Sequence, residues 1–251
     1  MPNSHHLIGT GPLKVIVLHG WFGDSQTFAV MESALSINEF TYALMDYRGY
    51  GGMKGVAGEF TLDEIAIDAL ALADSLGFST FAVIGHSMGG KAMQRLLVMQ
   101  PERVRTLVGI APVPASEVPF DDATWALFRD AADKRENRYR IVDYTTGGRL
   151  SPAWINAMVD YSLEHSDRNA FDAYLLAWSK TDFSDLVHGL EHPIKVIVGE
   201  HDAAIDVAVM EATYLKWYPN ASLEVMRNAG HYPMNETPVA LATAMEKFLR
   251  T

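Results

Sequence analysis

The sequence predicts an α/β protein: a mostly parallel sheet covered by helices on both faces, with a reduced N-terminal edge and an inserted helical block. Two observations carry this. Short, apolar, β-branched-rich runs such as Val15-Ile16-Val17-Leu18 and the one at 194–199 have the pattern of strands buried on both faces. Stretches with helical spacing alternate with them, which implies a parallel sheet. A third observation sets the division of the chain. From about Pro114 to Asp185 no strand of the buried type occurs, so residues 1–113 and 186–251 are expected to form the core and 114–185 a helical lid.

Taken in order, Leu7-Ile8 leaves room for one short strand at most. The strand at 15–18 ends in the glycine-punctuated loop His19-Gly20-Trp21-Phe22-Gly23-Asp24, and a helix over 27–35 would take Asp24 or Ser25 as its cap. A second strand at 41–45 ends in Asp46-Tyr47-Arg48-Gly49-Tyr50-Gly51. Five glycines between 49 and 58 suggest a mobile surface loop. Thr61-Leu62-Asp63-Glu64 fits a capping box, and Ile65, Ala69, Leu72 and Leu76 follow at helical spacing. The run Phe81-Ala82-Val83-Ile84 then breaks into Gly85-His86-Ser87-Met88-Gly89, and a helix-compatible stretch starts at once. Another strand spans 104–110. Helices are plausible at 122–133, 152–163 and 168–178, then a strand at 194–199, a helix over 207–217, a strand at 222–226, a loop holding His231 and a helix at 238–249.

The 251 residues carry a formal charge of −11, which argues against nucleic-acid and anionic-membrane partners. With no cysteine, disulfides, thiolate chemistry and Cys-ligated zinc are excluded. No metal or cofactor site is expected. No basic segment followed by an apolar core marks residues 1–10 as a signal, and no apolar run approaches membrane-spanning length. A cytoplasmic location is the expectation.

The chemistry is concentrated in three loops that each follow a strand, where open α/β sheets bind ligands. Ser87 stands between two glycines at a strand-to-helix turn, a nucleophile elbow of the form Gly-x-Ser-x-Gly. Asp202 follows the strand at 194–199, and His231 follows the strand at 222–226, so the chain order is Ser, Asp, His. His86, beside the nucleophile, is expected to turn into the sheet. His19 is expected to order its own loop. Glu200 and Asp206 are the alternatives to Asp202.

With the His-Gly loop, the Asp-x-Arg-Gly-x-Gly loop at 46–51, the Gly-x-x-Asp loop at 199–202 and the Gly-His-x-Pro loop at 230–233, the chain resembles the α/β-hydrolase superfamily from Lys14 to Leu249. The resemblance implies a serine hydrolase in which Ser87 attacks, His231 acts as base and Asp202 orients it. It also implies an oxyanion hole made by the backbone N–H groups of Trp21 and Met88. Relatives of the epoxide-hydrolase and dehalogenase type use Asp where this chain has Ser.

Aromatic residues crowd the inserted block: Trp125, Phe128, Trp154, Tyr161, Phe171, Tyr174 and Trp178. Most are expected to pack the lid. Trp125, Trp154 and Trp178, with Trp21, Phe22 and Met88, are the candidates for contact with substrate, which an apolar pocket would restrict to a small uncharged ester, lactone or thioester. A hydroxynitrile-lyase-type enzyme and a hydrolase-derived ligand receptor are the competing readings.

Overall fold

The computed structural model describes residues 2–251. Strands β1 (His5–Ile8), β2 (Leu13–Leu18), β3 (Phe40–Met45), β4 (Phe81–His86), β5 (Val104–Ile110), β6 (Ile194–Gly199) and β7 (Ala221–Met226) form one sheet in the order β1-β3-β2-β4-β5-β6-β7. β1 is antiparallel to β3 and supplies the short N-terminal strand; all other neighbours are parallel. The central strand β4 is buried along its whole length, the reason its sequence is continuously apolar rather than alternating. Because the six strands β2 to β7 run parallel, the loops after β4, β6 and β7 emerge on one edge of the sheet.

Helix α1 (Leu62–Ser75) begins at Thr61, whose hydroxyl accepts the Glu64 N–H at 3.1 Å. The reciprocal half of the box is displaced: the Glu64 carboxylate accepts the N–H groups of Glu59 and Phe60 instead of that of Thr61. Helix α2 (Met88–Met99) follows β4 after the single residue Ser87. α3 (Asp122–Arg129), α4 (Arg135–Thr145), α5 (Pro152–His165) and α6 (Arg168–Lys180) form the block between β5 and β6. α7 (Val207–Ala212), α8 (Tyr214–Trp217), α9 (Pro233–Glu236) and α10 (Pro238–Leu249) complete the chain.

Four local expectations change. Residues 27–35 form only a 3-10 turn, Ala29–Ala34, because the Asp24 carboxylate and Thr27 hydroxyl capture the N–H groups of Gln26 and Asp24 and hold the backbone in turns. The segment 207–217 breaks at Thr213, whose non-helical backbone separates α7 from α8. The glycine-rich loop is pinned at two points: Asp46 accepts the Gly52 N–H and Asp167 that of Gly55, and Tyr50 near its start is buried. Helix α4 was not anticipated. Its buried face is Arg138, Ile141, Val142 and Thr145, a helical spacing masked by a charged residue at its first position.

Glycine is required where α2 crosses the sheet. A Cβ on Gly89 would stand 2.2 Å from the Leu18 carbonyl oxygen, and one on Gly85 2.4 Å from that of Gly89. Backbone cannot yield as a side chain does. Gly89→Ala is therefore expected to destabilise the fold by about 3 kcal/mol, the upper end for overpacking, read as a shift of the urea midpoint at constant slope.

Candidate active site

Ser87 has φ 52° and ψ −116°, a conformation that an L-residue adopts only when its surroundings hold it there. Three backbone hydrogen bonds do so. The Ser87 N–H donates to Ile110 at 3.0 Å, and its carbonyl accepts from Gly90 at 2.9 Å and Val113 at 3.0 Å. The turn thus lifts the Ser87 side chain out of the sheet at the first turn of α2, where the helix presents unpaired N–H groups and positive partial charge.

His231 and Asp202 meet, and His231 lines the same cavity as Ser87. The His231 Nδ1–H donates to Asp202 Oδ2 at 2.6 Å, and both side chains are almost wholly buried. Asp202 Oδ1 accepts the N–H groups of Ala204 and Ile205 at 2.9 and 3.0 Å, which fixes the carboxylate. This contact puts a proton on Nδ1, so the tautomer it selects has Nε2 as the acceptor. Glu200 and Asp206 are engaged elsewhere: Glu200 accepts the Asn228 N–H, and Asp206 caps α7 through Val209.

The backbone of His231 is held from two sides. Its N–H donates to Thr145 at the end of α4, and its carbonyl accepts Nε2–H of His86 at 2.8 Å. His86 is thus more than a side chain turned into the sheet, since it links the elbow strand to the His231 loop. Sequence spacing gave no sign of that contact. His19 orders its own loop, with Nδ1–H donating to Gly20 and Nε2 accepting the Tyr47 N–H.

Burial holds the pKa of both His19 and His86 below the ordinary 6.5, His86 well below, with the neighbouring His231 a second cause there. Both rings are neutral in the fold, whereas in the unfolded chain each takes up a proton near pH 6.5. Their contribution to stability is complete above that pH and is lost as the pH falls through the folded values. Stability should decline below pH 6.5, by up to about 1.4 kcal/mol per pH unit for each ring. Urea titrations from pH 7.5 to 5 check this, and His86→Gln should remove about one proton from the slope.

Ser87 and His231 line one cavity of about 90 Å³. Its other walls include Trp21, Phe22, Val113, Val118, Phe120, Phe128, Ile141, Met158, Trp178 and Ile205, so the lining is overwhelmingly apolar. Residues 118–178 of the inserted block contribute much of it. Trp21 is fixed by stacking on Phe171 at 4.0 Å, by donating Nε1–H to the Phe171 carbonyl and by a hydrogen bond from Tyr50 to its own carbonyl. Behind Phe171 lies the buried guanidinium of Arg138, 3.6 Å from the ring centroid, its pKa lowered by desolvation to about 10. Among the described residues, no acceptor takes the backbone N–H of Trp21 or of Met88.

The six residues expected near a substrate separate into groups. Trp21, Phe22 and Trp178 line the cavity. The Met88 side chain is buried away from it, leaving only its N–H relevant to the site. Trp125 packs near Phe120 with Lys180 over its ring, outside the cavity. Trp154 lies against Tyr232 and lines a separate groove with Gln26 and Tyr161. Phe120, Val118 and Ile141 were missed, because no periodicity distinguishes a wall residue from a core residue.

Among the described residues, no group of His, Asp and Glu side chains is arranged to hold a metal ion, and no helix is long and apolar enough to cross a membrane. A family model described as alpha/beta hydrolase fold matches residues 14–238. A putative esterase/lipase of Haemophilus influenzae is 25% identical, over 94% of this chain and 82% of that protein. A pimeloyl-[acyl-carrier protein] methyl ester esterase of Nitrosomonas europaea is 26% identical, over 92% of each. Among solved structures, an esterase from Exiguobacterium antarcticum superposes with a TM-score of 0.87 at 19% identity, covering 98% of this chain and 95% of the other. The chain belongs to the α/β-hydrolase fold family.

Proposed function

We propose that the protein is a serine hydrolase that cleaves a small, uncharged carboxylic ester through an acyl-enzyme on Ser87. The observation that carries this reading is the 2.6 Å hydrogen bond from His231 Nδ1 to a buried, doubly anchored Asp202, with His231 and the strained Ser87 on one apolar cavity. The similarity to esterases supports it.

In this mechanism His231 Nε2 removes the Ser87 hydroxyl proton as the oxygen attacks the ester carbonyl. Asp202 keeps the proton on Nδ1 and stabilises the imidazolium. The N–H groups of Trp21 and Met88 stabilise the oxyanion, at about 3–4 kcal/mol each. His231 then hands its proton to the departing alcohol, and water, activated by the same nitrogen, hydrolyses the acyl-enzyme. The narrow apolar cavity favours a short acyl group, and lactones and thioesters of similar size fit the same chemistry.

Residues 114–185 act as the lid. They supply no member of the triad but enclose the cavity and shape substrate choice. Trp178→Ala should therefore shift the preferred acyl length or raise KM more than it lowers kcat on the smallest ester. Trp125→Ala, outside the cavity, should leave the profile in place. A panel of 4-nitrophenyl esters from acetate to decanoate, with butyrolactone and a thioester included, measures both. No turnover of any of these by the wild-type protein would refute the hydrolase reading, and a single slow turnover would favour a ligand receptor.

A further inference from the structure

One ionisable group beside the site has no part in this mechanism. Lys91 lies on α2, one helical turn beyond Ser87, and has no solvent exposure. Its Nζ donates to three backbone carbonyls: Ser116 at 2.8 Å, Trp178 at 2.8 Å and Thr181 at 2.6 Å. Ser116 belongs to the segment leading into the helical block, while Trp178 and Thr181 sit at the C-terminal end of α6, where the block returns to the sheet. The two stems also bond to each other, Val118 N–H to Ser179 and Phe183 N–H to Ala115. Val118 and Trp178 are walls of the Ser87 cavity.

The count of donors explains the residue type. An ammonium has three N–H bonds and meets three carbonyls, so every donor and the charge are satisfied without a carboxylate in contact. It also complements the negative end of α6. A neutral amine has two N–H bonds and would leave one buried carbonyl unpaired. Desolvation draws the Lys91 pKa down to about 7, opposed by the nearby charges of Asp182 and Glu117. Glu117 is itself paired with Lys180, and on α2 Arg95 is occupied by Asp63.

We propose that Lys91 is a positioning residue: it clasps both stems of the 114–185 block to the helix that carries Ser87, and so sets where Val118 and Trp178 stand in the cavity wall. The effect on substrate choice rests on the hydrolase reading, whereas the clasp itself does not.

The test uses Lys91→Met, which keeps the length of the side chain and removes its donors, and Lys91→Gln, which keeps two donors. Hydrogen exchange at the Val118 and Phe183 amides should quicken in both, most in Lys91→Met. On the ester panel, kcat for acetate should change little. The ratio of kcat/KM between the best and the next longer ester should shift by about tenfold, the scale of one methylene in a pocket wall. Folded variants with wild-type exchange at both amides and wild-type selectivity overturn the proposal. If a fluorophosphonate fails to label Ser87, the hydrolase reading is at fault, and exchange alone decides the clasp. Should neither variant fold, the wild-type protein is decisive. With the Lys91 pKa drawn down by burial to about 7, that selectivity ratio should change along one titration curve around neutral pH, from which groups acting equally on both esters cancel. A ratio constant over that range overturns the proposal.

Discussion

Ser87→Ala is expected to abolish turnover while leaving the fold intact. The substitution removes one hydroxyl and keeps the Cβ, so the backbone at φ 52° sees the same strain as before. No hydrogen bond that shapes the elbow depends on the side chain; all three use the Ser87 backbone. The loss in kcat should be on the order of a millionfold, the scale of nucleophile deletion in other serine hydrolases. Steady-state kinetics on 4-nitrophenyl acetate, with a melting curve beside it, measures this. A folded variant that keeps a tenth of the wild-type rate would show that another group attacks.

Asp202→Asn should cost about 10⁴ in kcat by removing the reason for the proton to sit on Nδ1. An amide can present N–H to the ring and stabilise the tautomer whose proton lies on Nε2, the atom that must accept the proton of Ser87. It also withdraws the charge that stabilises the imidazolium. KM should change much less, because Asp202 is not among the residues lining the cavity. The backbone N–H groups of Ala204 and Ile205 can still bond to the amide oxygen, so the loop is expected to survive. Glu200→Gln and Asp206→Asn, which remove charges bound to Asn228 and Val209, should retain most activity. The reverse pattern would move the orienting role to one of them.

The positions of Ser87, Asp202 and His231 were legible because each lies just after a strand, and parallel strands deliver the segments that follow them to one edge. The elbow was readable for a related reason. Only a sharp strand-to-helix turn needs glycine both at Gly85 and at Gly89, and the crowding at those two Cα atoms gives the physical cause. Helix α4 was hidden by Arg138, a charge on a mostly apolar face that becomes tolerable because the Ala131 carbonyl and the Ser162 hydroxyl accept from its guanidinium and the Phe171 ring covers it. Cavity membership was hidden more thoroughly. Trp125 and Trp178 look alike in sequence, yet one reaches the cavity and the other packs beside it, a difference set by how α3 and α6 dock. Nor could the sequence indicate that His86 would hold the His231 carbonyl or that Lys91 would find three carbonyls, since each contact joins segments far apart in the chain.

The central claim is that Ser87 is the nucleophile, and the site of covalent modification tests it most directly. The folded protein is incubated with a fluorophosphonate, digested and mapped by mass spectrometry. The expected result is one adduct per chain, on the peptide containing Ser87, formed in step with the loss of esterase activity and slowed strongly in Asp202→Asn. An adduct on any other residue that tracks the loss of activity, or full activity in a protein quantitatively labelled at Ser87, would contradict it.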